Sequence, residues 1–173
     1  MEFVKKYTVN ANEIRPRLWL GNWNSARDLE FHQNNNISVI YNCTKNLEFA
    51  DSPTIKRRYR IPIDDNLEEE EINNLAKWAP EAVLFLIQEY RKGSTILVHC
   101  AAGMQRSAAT VAMFLIATEN LTPDQAIAEV KARRPIAFFP HANFRKSIDA
   151  FHQFFTSSVL PTWNQDRIAK KTQ

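Results

Sequence analysis

The sequence predicts an α/β domain, a central and mostly parallel twisted sheet flanked by α-helices. Three observations predict it. Short apolar, β-branched runs alternate with longer helical patterns. Beyond about residue 99 only helical patterns follow. The 173 residues, 45% hydrophobic and 11% aromatic, are the right length and composition for one well-filled core.

Taken in order, Arg17 to Leu20 reads as a strand ended by Gly21, and Ser25 to Gln33 as a helix running into the turn-prone Asn34-Asn35-Asn36. Ile37 to Cys43 and Tyr59 to Ile63 read as strands. From about Glu70 to Tyr90 the pattern is helical, with Pro80 expected to kink the helix or to open a second one. Thr95-Ile96-Leu97-Val98, set off by Gly93-Ser94, is the clearest strand. Arg106 to Thr118 is apolar nearly all round and so predicts a buried helix. Thr122-Pro123-Asp124-Gln125 combines a threonine cap, a proline in the first turn and a glutamine able to close a capping box. That helix should stop near Arg134-Pro135, and a last one carries Phe144, Ile148, Phe151 and Phe155 on one face. No internal repeat or convincing linker interrupts the pattern, so one domain is expected, with a polar and loosely held tail from Pro161.

Charge is more informative in its distribution than in its sum of +3. Lys56, Arg57, Arg58 and Arg60 cluster, and Asp64, Asp65 and Glu68 to Glu71 follow as an acidic run. Both read as solvated surface. So small an excess of base predicts no nucleic-acid partner. No run approaches eighteen apolar residues and the amino terminus lacks the order of a secretory signal, so the expectation is a cytosolic or nuclear protein away from membranes. Two cysteines, Cys43 and Cys100, make no disulfide framework, and no zinc-type spacing occurs.

The chemistry lies between the clearest strand and the buried helix, in His99-Cys100-Ala101-Ala102-Gly103-Met104-Gln105-Arg106-Ser107. A strand ends, a short loop turns and a helix begins at or near the arginine. Amides of such a loop point inward and the helix terminus adds partial positive charge, a cradle for an anion that also favours thiolate over thiol. Arginine offers a planar fork for two phosphoryl oxygens. Gly103 admits a conformation, or an approach of backbone, that a side chain would hinder. The combination suits phosphoryl transfer to sulfur.

These residues resemble the HCxxGxxR[ST] signature of the cysteine-based protein tyrosine phosphatase superfamily. Its five fixed positions would coincide by chance in roughly one chain of this length in 10⁵. Glu13-Ile14-Arg15-Pro16-Arg17-Leu18-Trp19-Leu20-Gly21 resembles the opening strand of its compact dual-specificity branch. Ile61-Pro62-Ile63-Asp64-Asp65 resembles that branch's acid loop, and Arg134-Pro135 and Pro140-His141-Ala142-Asn143-Phe144 its later elements. The resemblance covers about residues 8–156 and so implies a catalytic domain there, with an extension over 1–7 and a polar, basic tail over 157–173. It implies a metal-free and cofactor-free phosphatase of phosphorylated proteins, acting on phosphotyrosine and phosphoserine or phosphothreonine. It implies Cys100 as nucleophile, with Arg106 and the amides of Ala101, Ala102, Gly103, Met104, Gln105 and Arg106 binding the phosphoryl group. Ser107 would assist departure of the sulfur, Asp65 would be general acid then base, and His99 would support the loop and lower the cysteine pKa. The motif's spacing selects Asp65 over Asp64.

Gln105 departs from the Ser, Gly or Asn common before the arginine, and would either narrow the pocket or turn away from it. His141 stands where asparagine is frequent and is expected to cap the final helix, the alternative being a place near the active-site rim. Cys43 reads as a buried thiol, the alternative being a resolving partner for Cys100. The competing functions are dephosphorylation of an inositol lipid or of an RNA 5′-triphosphate, and phosphoprotein binding without turnover. The loop interior lacks the lysines of lipid enzymes, it closes Arg106-Ser107 rather than with the RNA enzymes' threonine, and Cys, Arg and acid are all retained.

Overall fold

A computed structural model describes residues 9–164 of the chain. In chain order its elements are β1 (Ala11–Arg15), β2 (Leu18–Gly21), α1 (Trp23–Arg27), α2 (Leu29–Asn34), β3 (Val39–Asn42), β4 (Arg57–Arg60), α3 (Glu69–Arg91), β5 (Ile96–His99), α4 (Arg106–Glu119), α5 (Pro123–Arg133) and α6 (Arg145–Phe154). The strands form one sheet in the order β1-β2-β5-β3-β4. Only the β1–β2 pair is antiparallel.

Alternation along the strands divides the core in two. Leu18, Leu20, Val39, Tyr41, Ile96 and Val98 pack into the larger cluster, with residues of α3, α4, α5 and α6. Leu97 and Ile40 belong to a second cluster with Ala26, Ile37 and Ile55, and Trp19, Trp23 and Phe31 pack against it. All four residues of β5 are buried, as expected of a central parallel strand covered on both faces. The loop that carries Cys100 follows directly from this strand.

Several expectations shift. The segment opening at Glu13 is a hairpin rather than one strand, because Arg17 turns at φ 68° between β1 and β2. That turn is held from outside: Arg17 lies 4.3 Å over the Tyr90 ring and donates to the Tyr90 and Ser94 carbonyls, while the Tyr90 hydroxyl donates to the Pro16 carbonyl. The helix expected over Ser25 to Gln33 is two, broken at Asp28, whose extended backbone lets its carboxylate cap α2 at the Phe31 amide (2.9 Å). The strand expected from Tyr59 to Ile63 lies earlier, at Arg57–Arg60, in register with Val39–Asn42. Pro80 sits within one continuous α3.

The capping box at Thr122 and Gln125 forms as its spacing predicts. Phe144, Ile148, Phe151 and Phe155 are all buried. Helical backbone continues beyond α6 through a π-helical turn over Phe155–Val159 and as far as residue 164, where Trp163 meets Phe155 edge-on at 5.6 Å. Within the expected tail Val159, Leu160 and Trp163 therefore pack against the core; the extension over 1–7 and the tail beyond 164 lie outside the described residues. Among the described residues no helix is long and apolar enough to cross a membrane.

Candidate active site

Strand β5 ends at His99 and α4 begins at Arg106, leaving six residues to make the loop. Its shape is imposed by donors from four directions. The Cys100 carbonyl accepts from His99 Nδ1 (3.2 Å) and the Ala101 carbonyl from the Trp23 amide (2.9 Å). The Ala102 and Gly103 carbonyls accept from the Arg134 guanidinium (3.2 and 2.8 Å), and the Met104 carbonyl from the Phe138 amide (2.8 Å). In a trans peptide N–H and C=O point opposite ways. Five consecutive carbonyls drawn outward therefore turn the amides of residues 101 to 105 toward the inside of the loop, an anion-binding concavity at the start of a fourteen-residue helix.

Gly103 is required at its position twice over. Its φ is +65°, and a Cβ there would stand 2.5 Å from the Gly21 carbonyl oxygen and 2.8 Å from an Arg134 nitrogen.

Cys100 is nearly inaccessible, and its Sγ lies 3.0 Å from Ser107 Oγ. Burial alone would push the thiol up. The Arg106 charge, with hydrogen bonds from Ser107 and the Gly103 amide, outweighs burial and holds the thiol below its ordinary value. Arg106 Nη1 donates to the Ile63 carbonyl (2.9 Å), and its Nε is buried with no acceptor among the described residues.

His99 is fully buried, and burial first, with the Arg60 and Arg106 charges adding, lowers its pKa to about 4. The ring is neutral at physiological pH. It therefore brings no positive charge to Cys100; its contact with the loop is the hydrogen bond to the Cys100 carbonyl.

Asp65 and Asp64 point to different neighbours. Asp65 is exposed and its Oδ1 accepts from Asn143 Nδ2 (3.1 Å), which reaches across from the loop leading into α6. Asp64 pairs with Lys45 at 3.2 Å. Glu71, expected as one more solvated acid, is instead 4% exposed and organises this loop: it accepts from the Asp64 amide, Lys45 and Asn74. Burial would raise its carboxyl, but those three donors together hold it below the usual range.

Gln105 turns away from the pocket mouth: it is 5% exposed, with its side chain against the segment from Phe139 to Asn143. His141 does not cap α6. It is exposed, the N-cap position falls at Phe144 and makes no side-chain cap bond. Cys43 is a free thiol in the core. Thr110 gives its only hydroxyl proton to the Arg106 carbonyl (2.9 Å), so at 3.6 Å Cys43 must be the donor, and burial pushes its pKa well up. Both facts oppose its acting as a thiolate toward Cys100.

Sequence reasoning missed Arg134, Glu71, Trp23 and Asn143 as parts of the site. Arg134 and Asn143 fall within quoted family elements, which was the available signal; nothing local marks Glu71 among its acidic neighbours.

A buried cysteine with a depressed pKa, ringed by inward amides and flanked by Ser107 and Arg106, is an arrangement suited to attack of sulfur on a bound oxyanion. The family model for the dual specificity phosphatase catalytic domain matches residues 18–154, and the chain belongs to that family. Among curated relatives it is 30% identical over 140 residues to dual specificity protein phosphatase 22-B of Danio rerio, covering 81% of this chain and 73% of that one. Against dual specificity protein phosphatase 8 of Mus musculus the identity is 30% over 137 residues, covering 79% of this chain but only 20% of the relative. The chain thus spans about a fifth of that relative's length. The solved structure of human DUSP28 superposes with a TM-score of 0.76 at 21% identity, covering 86% of this chain and 97% of that one, a likeness of fold.

Proposed function

We propose that this protein hydrolyses phosphotyrosine and phosphoserine or phosphothreonine esters of proteins through a phosphocysteine intermediate. The observation that carries the reading is the Cys100 sulfur, 3.0 Å from the Ser107 hydroxyl, at the floor of a loop whose amides are turned inward. Membership of the dual specificity family supports the substrate class.

In the first step the Cys100 thiolate attacks phosphorus and the bond to the leaving oxygen breaks. Arg106 and the amides of residues 101 to 106 hold the phosphoryl oxygens and offset the charge that develops on them. The carboxyl of Asp65 gives its proton to the leaving oxygen. In the second step the Asp65 carboxylate takes a proton from water, the water oxygen bonds to phosphorus, and the S–P bond breaks. Ser107 donates to the departing sulfur and stabilises it as thiolate. The support for Arg106 is its buried, unpartnered Nε; that for Asp65 over Asp64 is its approach to Asn143 while Asp64 pairs with Lys45.

Cys100→Ser tests the reading. Turnover of matched phosphotyrosine and phosphothreonine peptides should disappear in chelator-treated buffer, whereas phosphopeptide binding persists because amides and Arg106 survive. More than a trace of remaining turnover would overturn the thiolate mechanism.

A further inference from the structure

Gln105 is the residue by which this loop departs from its family, and its contacts lead to the proposed general acid. Its Nε2 donates to the His141 carbonyl (2.8 Å) and the Phe139 carbonyl (3.2 Å), and its Oε1 accepts from the Asn143 amide (3.0 Å). The orientation of the amide is not open to a flip, because two partners can only accept and the third can only donate. Both Nε2 protons are used, so this side chain has no donor left to offer a substrate. It instead fastens the segment from Phe139 to Asn143 onto the loop that carries the nucleophile. Asn143, whose backbone is thereby held, spends its side chain on Asp65 Oδ1 at 3.1 Å.

We infer that Gln105 is a positioning residue for the general acid: through Asn143 it sets where the Asp65 carboxyl stands relative to the nucleophile's loop. The acid loop has little else to hold Asp65. The carboxyl is exposed and it precedes Leu67 at φ 63°, whereas the firm anchors of this loop, Glu71 and Lys45, act on Asp64. A neutral donor such as Asn143 can serve both protonation states of Asp65, as donation and then acceptance of a proton require. The inference rests on Asp65 as the acid.

The experiment compares Gln105→Leu, Asn143→Ala and Asp65→Ala on an alkyl phosphate, whose leaving group needs the proton, and on p-nitrophenyl phosphate, whose leaving group does not. For Gln105→Leu and Asn143→Ala the expected fall in kcat/KM is about 10-fold or more on the alkyl ester and less than about 3-fold on the aryl ester. Vanadate should inhibit as before, which shows the cradle intact. In an Asp65→Ala background neither change should cost anything more on the alkyl ester. If Gln105→Leu does not fold, the Asn143→Ala pair of measurements decides. Equal losses on both esters, no loss on either, or a further loss beyond Asp65→Ala would overturn the role of Gln105. If Asp65→Ala itself shows no difference between esters, the acid assignment falls and the inference with it.

Discussion

At the scale of single residues the site works by opposing burial with charge. Cys100 lies in surroundings that disfavour a thiolate, and the Arg106 charge with the Ser107 and Gly103 donors reverses the preference. Removing one donor should therefore show as a titration. In Ser107→Ala the pH midpoint of Cys100 alkylation should move up toward the ordinary thiol value, and an unmoved midpoint would deny Ser107 a part in stabilising the sulfur. Arg106→Lys keeps the charge but loses the planar fork. We expect kcat/KM to fall at least about 100-fold, equivalent to about 2.7 kcal/mol of transition-state stabilisation. A near-normal rate would mean that Arg106 does not grip the phosphoryl group. Cys43 shows the opposite outcome: burial, with the Cys100 charge adding, pushes its thiol up, and the lowering by Thr110 and Arg106 does not offset them.

At the scale of elements, the loop that carries Cys100 is shaped by groups remote in sequence. Arg134 is 2% exposed and spends its guanidinium on four acceptors: the Ala102, Gly103 and Val9 carbonyls and Asn12 Oδ1. Burial lowers its pKa to about 10, leaving it charged at physiological pH. It joins the end of α5 to the loop and to the chain before and within β1. Arg134→Met preserves bulk but strands buried acceptors, so unfolding free energy should fall by about 3 kcal/mol. The phosphate-ester KM should rise as well, because two loop carbonyls would no longer be held outward. Urea titration and steady-state kinetics check both, and a variant matching the parent in both would show that the loop keeps its shape unaided.

At the scale of the whole molecule, the central strand ends in a histidine that the fold keeps neutral. Between pH 6.5 and about 4 the unfolded chain binds a proton at His99 that the folded protein refuses. Stability is thus fully present above pH 6.5 and is lost as pH falls toward 4. A depression of this size corresponds to about 3 kcal/mol. His32, also buried and held below its ordinary value by burial, contributes in the same direction. His99→Asn should flatten much of the acid-side slope of unfolding free energy against pH. An unchanged slope would assign the acid sensitivity elsewhere.

By itself the sequence determined the strand–loop–helix that carries Cys100, Gly103, Arg106 and Ser107, since these residues are neighbours whose chemistry depends on a short, local turn. It determined equally the buried helix α4, the capping box at Thr122 and the aromatic face of α6, all products of local periodicity. The tertiary structure decided what distance along the chain concealed. The hairpin at Arg17 depends on Tyr90, and the break at Asp28 fixes two short helices where one pattern runs. Glu71 is distinguished from its acidic neighbours only by being folded under the acid loop. Arg134, Asn143 and the brace from Gln105 act across separations of 31 to 125 residues. No periodicity or spacing records such contacts, because they exist only where the packed core brings those segments together.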